Sequence, residues 1–116
     1  DYAIGCVEDV SSAKQTYYER LQYDSKYSYF NSGVLLINLD YWRHNNVLQE
    51  LMEYFHQQKE KLIFIDQDLL NGVLYNRKKT LHPMWNVQDG FLRVNRYMLN
   101  TTDKELDKIM RPLHGK

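Results

Sequence analysis

Residues 29–40 read YFNSGVLLINLD, and this stretch decides the fold. The polar elbow Asn31-Ser32-Gly33 lies directly before the apolar run Val34 to Ile37. The run is short and β-branched at both ends, which predicts a strand buried on both faces. Glycine in the elbow allows a positive φ or a close approach of the backbone. Because open α/β sheets bind ligands beyond the ends of their strands, the elbow is a candidate binding site.

A second polar segment follows another apolar run. Leu62 to Ile65 predicts a short strand or extended segment, and the triplet Asp66-Gln67-Asp68 comes directly after it. An acidic residue, Asp9, also follows the first predicted strand. We therefore expect Asp9, the elbow and the triplet to form walls of one site.

Each of these features also has a purely structural interpretation. The triplet is a D-x-D, which can share a divalent cation through its carboxylates. A carboxylate at a helix start can equally cap the helix and interact with its dipole, with Asp66 as the cap and Asp68 in the first turn. Asn31 can be a turn residue that bonds its own backbone, and Asp9 can be a helix cap.

Composition and charge indicate a globular domain and argue against nucleic-acid binding. The chain has 116 residues, which is enough for one domain, and 43% of them are hydrophobic. The net charge is zero, so no electrostatic footprint for nucleic acid is present. The basic run Arg77 to Lys79 indicates a solvated turn after a helix, with binding of phosphate or anionic lipid as the alternative. Ten tyrosines predict either packing on one side of the domain or surfaces for sugar binding.

The single cysteine and the short apolar runs bear on location. Cys6 is the one cysteine, so an intrachain disulfide is impossible, which fits a reducing compartment. No apolar run reaches the length of about 18 residues that a transmembrane helix requires. We expect a cytoplasmic location. The alternative is a cytoplasmic protein that associates peripherally with the inner membrane.

The remaining patterns predict an alternation of strands and helices. Val47, Leu48, Leu51, Met52 and Phe55 fall on one helical stripe, and Trp42 is expected to pack back onto a strand. The predicted elements are a strand over 2–7, a helix over 13–21, a strand over 34–39, a helix over 41–59 capped by Asp40, a helix from 66 or 67 to 75, an extended segment over 80–86 and a helix over 103–110.

Three segments together resemble a known family. YFNSGVLLINLDYWR, IDQDLLN and WN are similar to segments of glycosyltransferase family 8, and the resemblance extends from Ile4 to His114. It implies an α/β fold of the GT-A type, a Rossmann-like nucleotide-diphospho-sugar transferase fold with a mixed sheet and flanking helices. It also implies a retaining transferase that uses Mn²⁺ or Mg²⁺ to move glucose or galactose from a UDP-sugar to a saccharide or lipopolysaccharide acceptor.

The resemblance implies roles for the polar residues already singled out. Asp9 and Asn31 match residues that border the donor sugar, and Ser32 and Gly33 complete this substrate-binding elbow. Asp66 matches an acid that bonds the hydroxyls of the donor sugar and is also a catalytic candidate. Gln67 is the catalytic candidate for stabilising an oxocarbenium-like state or for a weak nucleophilic role.

The family's metal ligands match only partly. His114 in PLHGK is similar to the histidine of H-x-G-x-x-K-P-W, but one residue between His and Gly is missing. The family's metal-binding D-x-D lies upstream of the matched segment, so Asp66-Gln67-Asp68 is not that motif. His114 is therefore the one metal ligand that the resemblance assigns to this chain.

The resemblance also predicts the organisation of the chain. We expect residues 1–116 to be a single unit, the acceptor-side, C-terminal part of a catalytic domain without its nucleotide-binding half, and inactive when isolated. The alternative is a non-catalytic module that binds a saccharide or associates with other chains. Self-association of the fragment is expected if its sheet edges and apolar face are exposed.

Overall fold

The computed structural model describes residues 1–88. Three short 3₁₀ helices cover Ser25–Tyr27, Lys59–Lys61 and Pro83–Trp85. The strands and α-helices, in chain order, are β1 (Ile4–Glu8), α1 (Gln15–Leu21), β2 (Phe30–Ile37), α2 (Leu39–His44), α3 (Val47–Gln58), α4 (Ile65–Leu74) and β3 (Lys78–Thr80). The predicted helix over 103–110 and His114 lie outside the described residues.

The described strands form a mixed sheet in the order β2-β1-β3. β1 runs antiparallel to β2 and parallel to β3. The β1–β2 register is interrupted, because Cys6 pairs with Leu35 whereas the next residue, Val7, pairs with Asn31. Residues 32–34 therefore bulge out of the ladder, which leaves the polar elbow free to make other contacts.

The apolar run of β2 is not buried on both faces as the sequence predicts. Val34, Leu36 and Ile37 have exposed fractions of 46%, 68% and 41%. β2 lies at the edge of the sheet that the described residues form, so only one of its two sides is paired with a strand among residues 1–88. An apolar run alone does not distinguish such a strand from a central one.

The predicted helix over 41–59 is two helices. Asn38, rather than Asp40, caps α2, with its Oδ1 accepting a hydrogen bond from Tyr41 N at 3.1 Å. Asn46 has a φ of 50°, and this left-handed conformation separates α2 from α3. Asparagine adopts that conformation more readily than most residues, and the Asn45-Asn46 pair lies just before Val47, where the predicted apolar stripe begins.

Among residues 1–88 the apolar interior consists of two clusters, and α4 contacts both. Trp42 packs against the first cluster, as predicted, and its indole N–H donates to the carbonyl of Ala3 at 2.9 Å. The first cluster contains Ala3, Ile4, Cys6, Phe30, Val47, Leu51, Val73 and Leu74. The second, called the tyrosine cluster here, contains Tyr17, Tyr18, Leu21, Tyr23, Tyr29 and Leu62.

The tyrosine cluster confirms the packing interpretation for most of the tyrosines in the first third of the chain. The rings of Tyr17 and Tyr29 stack with their centroids 4.1 Å apart, and those of Tyr23 and Tyr75 stack at 4.5 Å. Stacked and edge-on rings add to the stabilisation that burial gives. Tyr29 belongs to this cluster, and it is followed directly in the chain by Phe30 and the polar elbow.

Several predicted boundaries are shifted. α1 begins at Gln15 without a side-chain cap, and Leu62 to Phe64 is not a strand. On the predicted stripe of α3, Val47 and Leu51 are buried but Leu48 and Met52 are exposed. The segment expected to be extended over 80–86 contains the short 3₁₀ helix that begins at Pro83. No helix among residues 1–88 is long and apolar enough to cross a bilayer.

Candidate functional site

Three side chains that are distant in the sequence meet at one carboxylate. Asp9 directly follows β1, Asn31 lies in β2 and Gln67 lies in the first turn of α4. The Oδ2 atom of Asp9 accepts hydrogen bonds from Asn31 Nδ2 at 2.9 Å and from Gln67 Nε2 at 3.3 Å. The structure therefore brings these three residues together, as the order of the polar segments predicts.

Asp9 is the buried anion at the centre of this arrangement. Its exposed fraction is 7%, and its Oδ1 accepts from the Ser11 backbone N–H at 2.9 Å and the Ser11 hydroxyl at 2.6 Å. It does not cap α1, which begins six residues later at Gln15. Hydrogen bonds from Ser11, from β2 and from α4 thus hold the Asp9 carboxylate in one orientation.

The bulge in β2 aims the backbone of the elbow at the same site. The Ser32 backbone N–H and hydroxyl donate to Gln67 Oε1 at 2.9 and 3.2 Å, and the Gly33 N–H donates to Asn31 Oδ1 at 2.8 Å. A Cβ atom on Gly33 would lie 2.8 Å from that same oxygen. The described glycines have no positive φ, so the close approach explains Gly33.

The hydroxyl of Tyr29 fixes which way the amide of Gln67 points. Tyr29 donates to Asp68 Oδ1 at 2.6 Å, since an ionised carboxylate can only accept. Its oxygen is then the acceptor for Gln67 Nε2 at 3.3 Å. A reversed amide would place its oxygen against the carboxylate of Asp9. Gln67 Oε1 must therefore face Ser32.

Asp68 is a structural anion rather than a metal ligand. It is fully buried, and its two oxygens accept bonds from Arg20 Nε and Nη2 at 3.1 and 3.0 Å, from Tyr29, and from the backbone N–H groups of Ile63 and Phe64. Burial acts to raise the pKa of Asp68, but the hydrogen bonds from Arg20, Tyr29 and Ile63 outweigh it and lower the pKa. Asp68, rather than Asp66, thus satisfies donors before α4.

Asp66 is not part of the hydrogen-bonded site. Its side chain is exposed in the first turn of α4, and among residues 1–88 it makes no hydrogen bond or ion pair. It is adjacent to Gln67 in the chain. Its role as a ligand of sugar hydroxyls stays a prediction. The role of His114 as a metal ligand also stays a prediction.

The residues that the structure describes do not fit a metal ion. Residues 1–88 contain no group of three His, Cys, Asp or Glu side chains that could hold one. Protein donors occupy both oxygens of Asp68, so Asp66-Gln67-Asp68 is not a metal site. A divalent ion would need ligands from outside these residues.

Sequence reasoning assigned no role to two asparagines that complete the site. The fully buried Asn71 accepts from the Phe30 N–H at 2.8 Å and donates to the Phe30 carbonyl at 2.9 Å, which joins α4 to β2. Asn86 Nδ2 donates to Asn31 Oδ1 at 2.9 Å. Both belong to the quoted segments IDQDLLN and WN, so the signal was present without an assigned role.

The arrangement is suited to a neutral, hydroxyl-rich ligand. It presents one buried carboxylate surrounded by carboxamides and hydroxyls, with the cation of Arg20 paired to Asp68. Amides and hydroxyls both donate and accept, as sugar hydroxyls do. The negative charge of Asp9 favours a ligand that develops positive charge.

Comparisons with known proteins identify relatives of this chain. A sequence profile described as glycosyl transferase family 8 matches residues 1–110. General stress protein A of Bacillus subtilis is 32% identical over 89 residues, which cover 75% of this chain and 30% of that protein. A lipopolysaccharide 1,2-glucosyltransferase of Escherichia coli is 34% identical over 83 residues, which cover 69% of this chain and 24% of that protein.

A solved structure shares the fold. The crystal structure of the galactosyltransferase LgtC in complex with donor and acceptor sugar analogs matches with a TM-score of 0.66 and 28% identity. The match covers 72% of this chain and 30% of that one. The predicted α/β fold of the GT-A type, with a mixed sheet and flanking helices, is confirmed. The chain spans about 30% of the length of the first of these relatives.

Proposed function

This chain belongs to glycosyl transferase family 8, and on that premise we propose that the protein transfers glucose or galactose from a UDP-sugar, with retention, to a saccharide or lipopolysaccharide acceptor. The lipopolysaccharide glucosyltransferase among its relatives supports this acceptor class. Such an acceptor also favours action on the cytoplasmic side of the inner membrane. The observation that carries the proposal is the convergence of Asp9, Asn31 and Gln67.

We propose that residues 1–116 form a single unit that supplies the sugar-facing side of the catalytic domain. The chain covers only 30% of its Bacillus relative, and we assign nucleotide binding to a part of the catalytic domain outside this chain. Mn²⁺ or Mg²⁺, with His114 as one ligand, belongs to that larger assembly. By itself the unit is expected to be inactive, because a diphosphate leaving group needs a cationic partner.

The role proposed for the site follows from where charge develops. Retaining transfer passes through an oxocarbenium-like state with positive charge at the anomeric carbon. The carboxylate of Asp9 and the oriented dipoles of Asn31 and Gln67 favour that charge over the neutral ground state. The surrounding hydrogen bonds hold these groups in place before the reaction, so little reorganisation is needed when the charge forms.

The geometry of Gln67 favours a dipolar role over a nucleophilic one. Its Oε1 accepts two hydrogen bonds from Ser32, at 2.9 and 3.2 Å, which engage both lone pairs. Attack on a sugar carbon would require at least one of these bonds to break. Stabilisation of a nearby positive charge requires neither to break. We therefore assign Gln67 to electrostatic stabilisation, with the adjacent Asp66 bonding sugar hydroxyls.

The proposal predicts that Gln67→Ala and Asp66→Ala each lower kcat by roughly 10²-fold or more in the intact protein, with the fold retained. Loss of one preorganised contact to a transition state has an effect of this size. The measurement is steady-state turnover of UDP-glucose and UDP-galactose, with circular dichroism to check the fold.

Two exposed residues outside the site provide matched controls. Gln57→Ala on α3 and Asp40→Ala on α2 should leave kcat unchanged. Wild-type turnover in both Gln67→Ala and Asp66→Ala would remove these residues from the mechanism. Saccharide binding by the wild-type protein without turnover of either donor would instead support a binding module, for which the exposed Trp85 offers a stacking surface.

A further inference from the structure

The residue that precedes the site has an unfavourable backbone conformation. Ser28 has φ 60° and ψ 155°, a combination that is almost confined to glycine. It ends the 3₁₀ helix Ser25–Tyr27, and β2 begins two residues later. A conformation of this kind persists only where surrounding contacts hold it.

A lysine from another part of the fold holds the carbonyl of Ser28, and a tyrosine hydroxyl lies near it. Lys78 Nζ donates to it at 2.6 Å, and the Tyr23 hydroxyl lies 3.4 Å from it. Lys78 lies in β3, on the far side of β1 from β2, so its side chain reaches across the central strand. The basic run was expected to be a solvated turn, but Lys78 lies within the sheet and its ammonium is directed inward at this carbonyl.

The surroundings of Lys78 show that it is not an ordinary surface lysine. Its Nζ lies 5.3 Å from the ring centroid of Phe30. Burial lowers the pKa of Lys78 to about 8, and the neighbouring Cys6 and Glu8 of β1 partly oppose this effect. The side chain is therefore mostly an ammonium at neutral pH, and the hydrogen bond to the Ser28 carbonyl is assisted by its charge.

The peptide between Ser28 and Tyr29 leads directly into the site. Tyr29, the next residue, accepts at its carbonyl a hydrogen bond from the backbone N–H of Asp9 at 2.9 Å. Its hydroxyl is the acceptor that orients Gln67 Nε2. A rotation of the peptide between Ser28 and Tyr29 would move both the backbone beside Asp9 and the ring that carries this hydroxyl.

We propose that Lys78 is a positioning residue that holds the Ser28 peptide in its glycine-like conformation and thereby places Tyr29 and the amide of Gln67. The catalytic consequence rests on the function proposed above, whereas the placement of Gln67 is a property of the fold. Without the ammonium, Ser28 relaxes toward a negative φ, and Tyr29 no longer presents its hydroxyl to Gln67 in the same position.

The test combines removal of the donor with removal of the strain. Lys78→Met keeps an unbranched apolar stem but cannot donate to the carbonyl. Ser28→Gly makes the conformation accessible without a restraint, because glycine has no Cβ. Lys79→Met is the control, since Lys79 is the exposed neighbour in the same strand. The side-chain amide signal of Gln67 in NMR spectra, identified by its loss in Gln67→Ala, and the kcat of the intact protein are measured for each variant.

We expect Lys78→Met to shift the Gln67 signal and to lower kcat by about 10- to 100-fold, with a smaller change in the KM for the donor, as for a displaced reactive group. The double variant Lys78→Met with Ser28→Gly should restore both, and Lys79→Met should change neither. An unchanged Gln67 signal in Lys78→Met, or a folded double variant that keeps the defects, overturns the proposal.

Further outcomes also decide the question. If Lys78→Met does not fold, Ser28→Gly must recover folding in the double variant, and a failure to do so contradicts the proposal. If the wild-type protein turns over neither donor, the proposed function fails. If Gln67→Ala keeps wild-type turnover, only the catalytic role proposed for Gln67 fails. The Gln67 signal, its shift in Lys78→Met and its restoration by Ser28→Gly still test the positioning role independently of activity.

Discussion

The hydroxyl of Tyr29 links the tyrosine cluster to the polar site. Its ring stacks on Tyr17, while its oxygen donates to Asp68 and accepts from Gln67. A phenylalanine at this position would keep the packing but would lose the group that distinguishes the two orientations of the Gln67 amide. At this scale, residues that stabilise the fold also orient the side chains proposed for chemistry.

At the scale of single residues, one prediction concerns the buried ion pair of Arg20 and Asp68 behind the site. Asp68→Asn should lower the free energy of unfolding at pH 7 by about 3–5 kcal/mol, because Arg20 then lacks its charged partner in a buried setting. The pKa of Asp68 is lowered in the folded state, so its ionised form contributes stability above the unfolded pKa, and this contribution is lost as pH falls through the folded pKa. Urea unfolding at pH 7 and pH 3 measures both effects.

The difference between the wild type and Asp68→Asn should therefore shrink below about pH 4. Asp40→Asn is the matched control, since the side chain of Asp40 is 86% exposed and its pair with Arg43 lies on the surface. A stability difference for Asp68→Asn that is the same at both pH values would show that its charge does not contribute.

One side chain of α4, that of Asn71, bonds the sheet in the way that a neighbouring strand would. Asn71 bonds both the N–H and the carbonyl of Phe30, and it also donates to the carbonyl of Gln67 at 2.9 Å. The helix is therefore held in both position and rotation relative to β2. This attachment fixes the distance between Gln67 and the elbow.

At the scale of elements we expect Asn71→Ala to lower the free energy of unfolding by about 2–4 kcal/mol, because it leaves two buried backbone groups of Phe30 without partners. Asn76→Ala, at an exposed position just after α4, serves as the control. Urea unfolding and hydrogen exchange of the Phe30 amide are measured. Exchange of that amide at the wild-type rate in Asn71→Ala would contradict the assignment.

The sequence predicted which elements exist better than where they end or what covers them. Polar groups next to apolar runs located Asp9, Asn31 and Gln67, because the ends of strands and the starts of helices bring such groups to one edge of a sheet. The break at Asn45-Asn46 was missed because the apolar stripe begins only at Val47, after the break, so the stripe does not test whether a helix is continuous from Tyr41. The partners of Asp68 and Lys78 were missed because they depend on tertiary contacts, such as Arg20 at a separation of 48 residues.

As a whole, residues 1–88 expose several groups of apolar side chains. One lies on β2, where Val34, Leu36 and Ile37 are exposed, and another lies at the start of α4, where Ile63, Phe64 and Ile65 are 64%, 52% and 56% exposed. Contiguous apolar surface and free strand edges promote association. Self-association of the chain stays a prediction of the sequence, and the structure indicates where to test it.

We expect the isolated chain to form concentration-dependent dimers or larger species in light scattering, and Leu36→Lys to shift it toward the monomer. A lysine on an edge strand disfavours strand pairing. Leu48→Lys on α3 is the matched control, because Leu48 is 66% exposed and Leu36 is 68% exposed, but Leu48 lies away from the sheet edge. A wild-type monomer at high concentration would contradict the prediction.

The parallel pairing of β1 with β3 has a consequence for biosynthesis. Ile4 pairs with Lys78, and the donor to Asn31 comes from Asn86. A nascent chain that has emerged from the ribosome only as far as α4 has neither contact. Its central strand then lacks one neighbour and Ser28 lacks its lysine partner, so the side chains of the proposed site reach their final arrangement only after translation has passed this point.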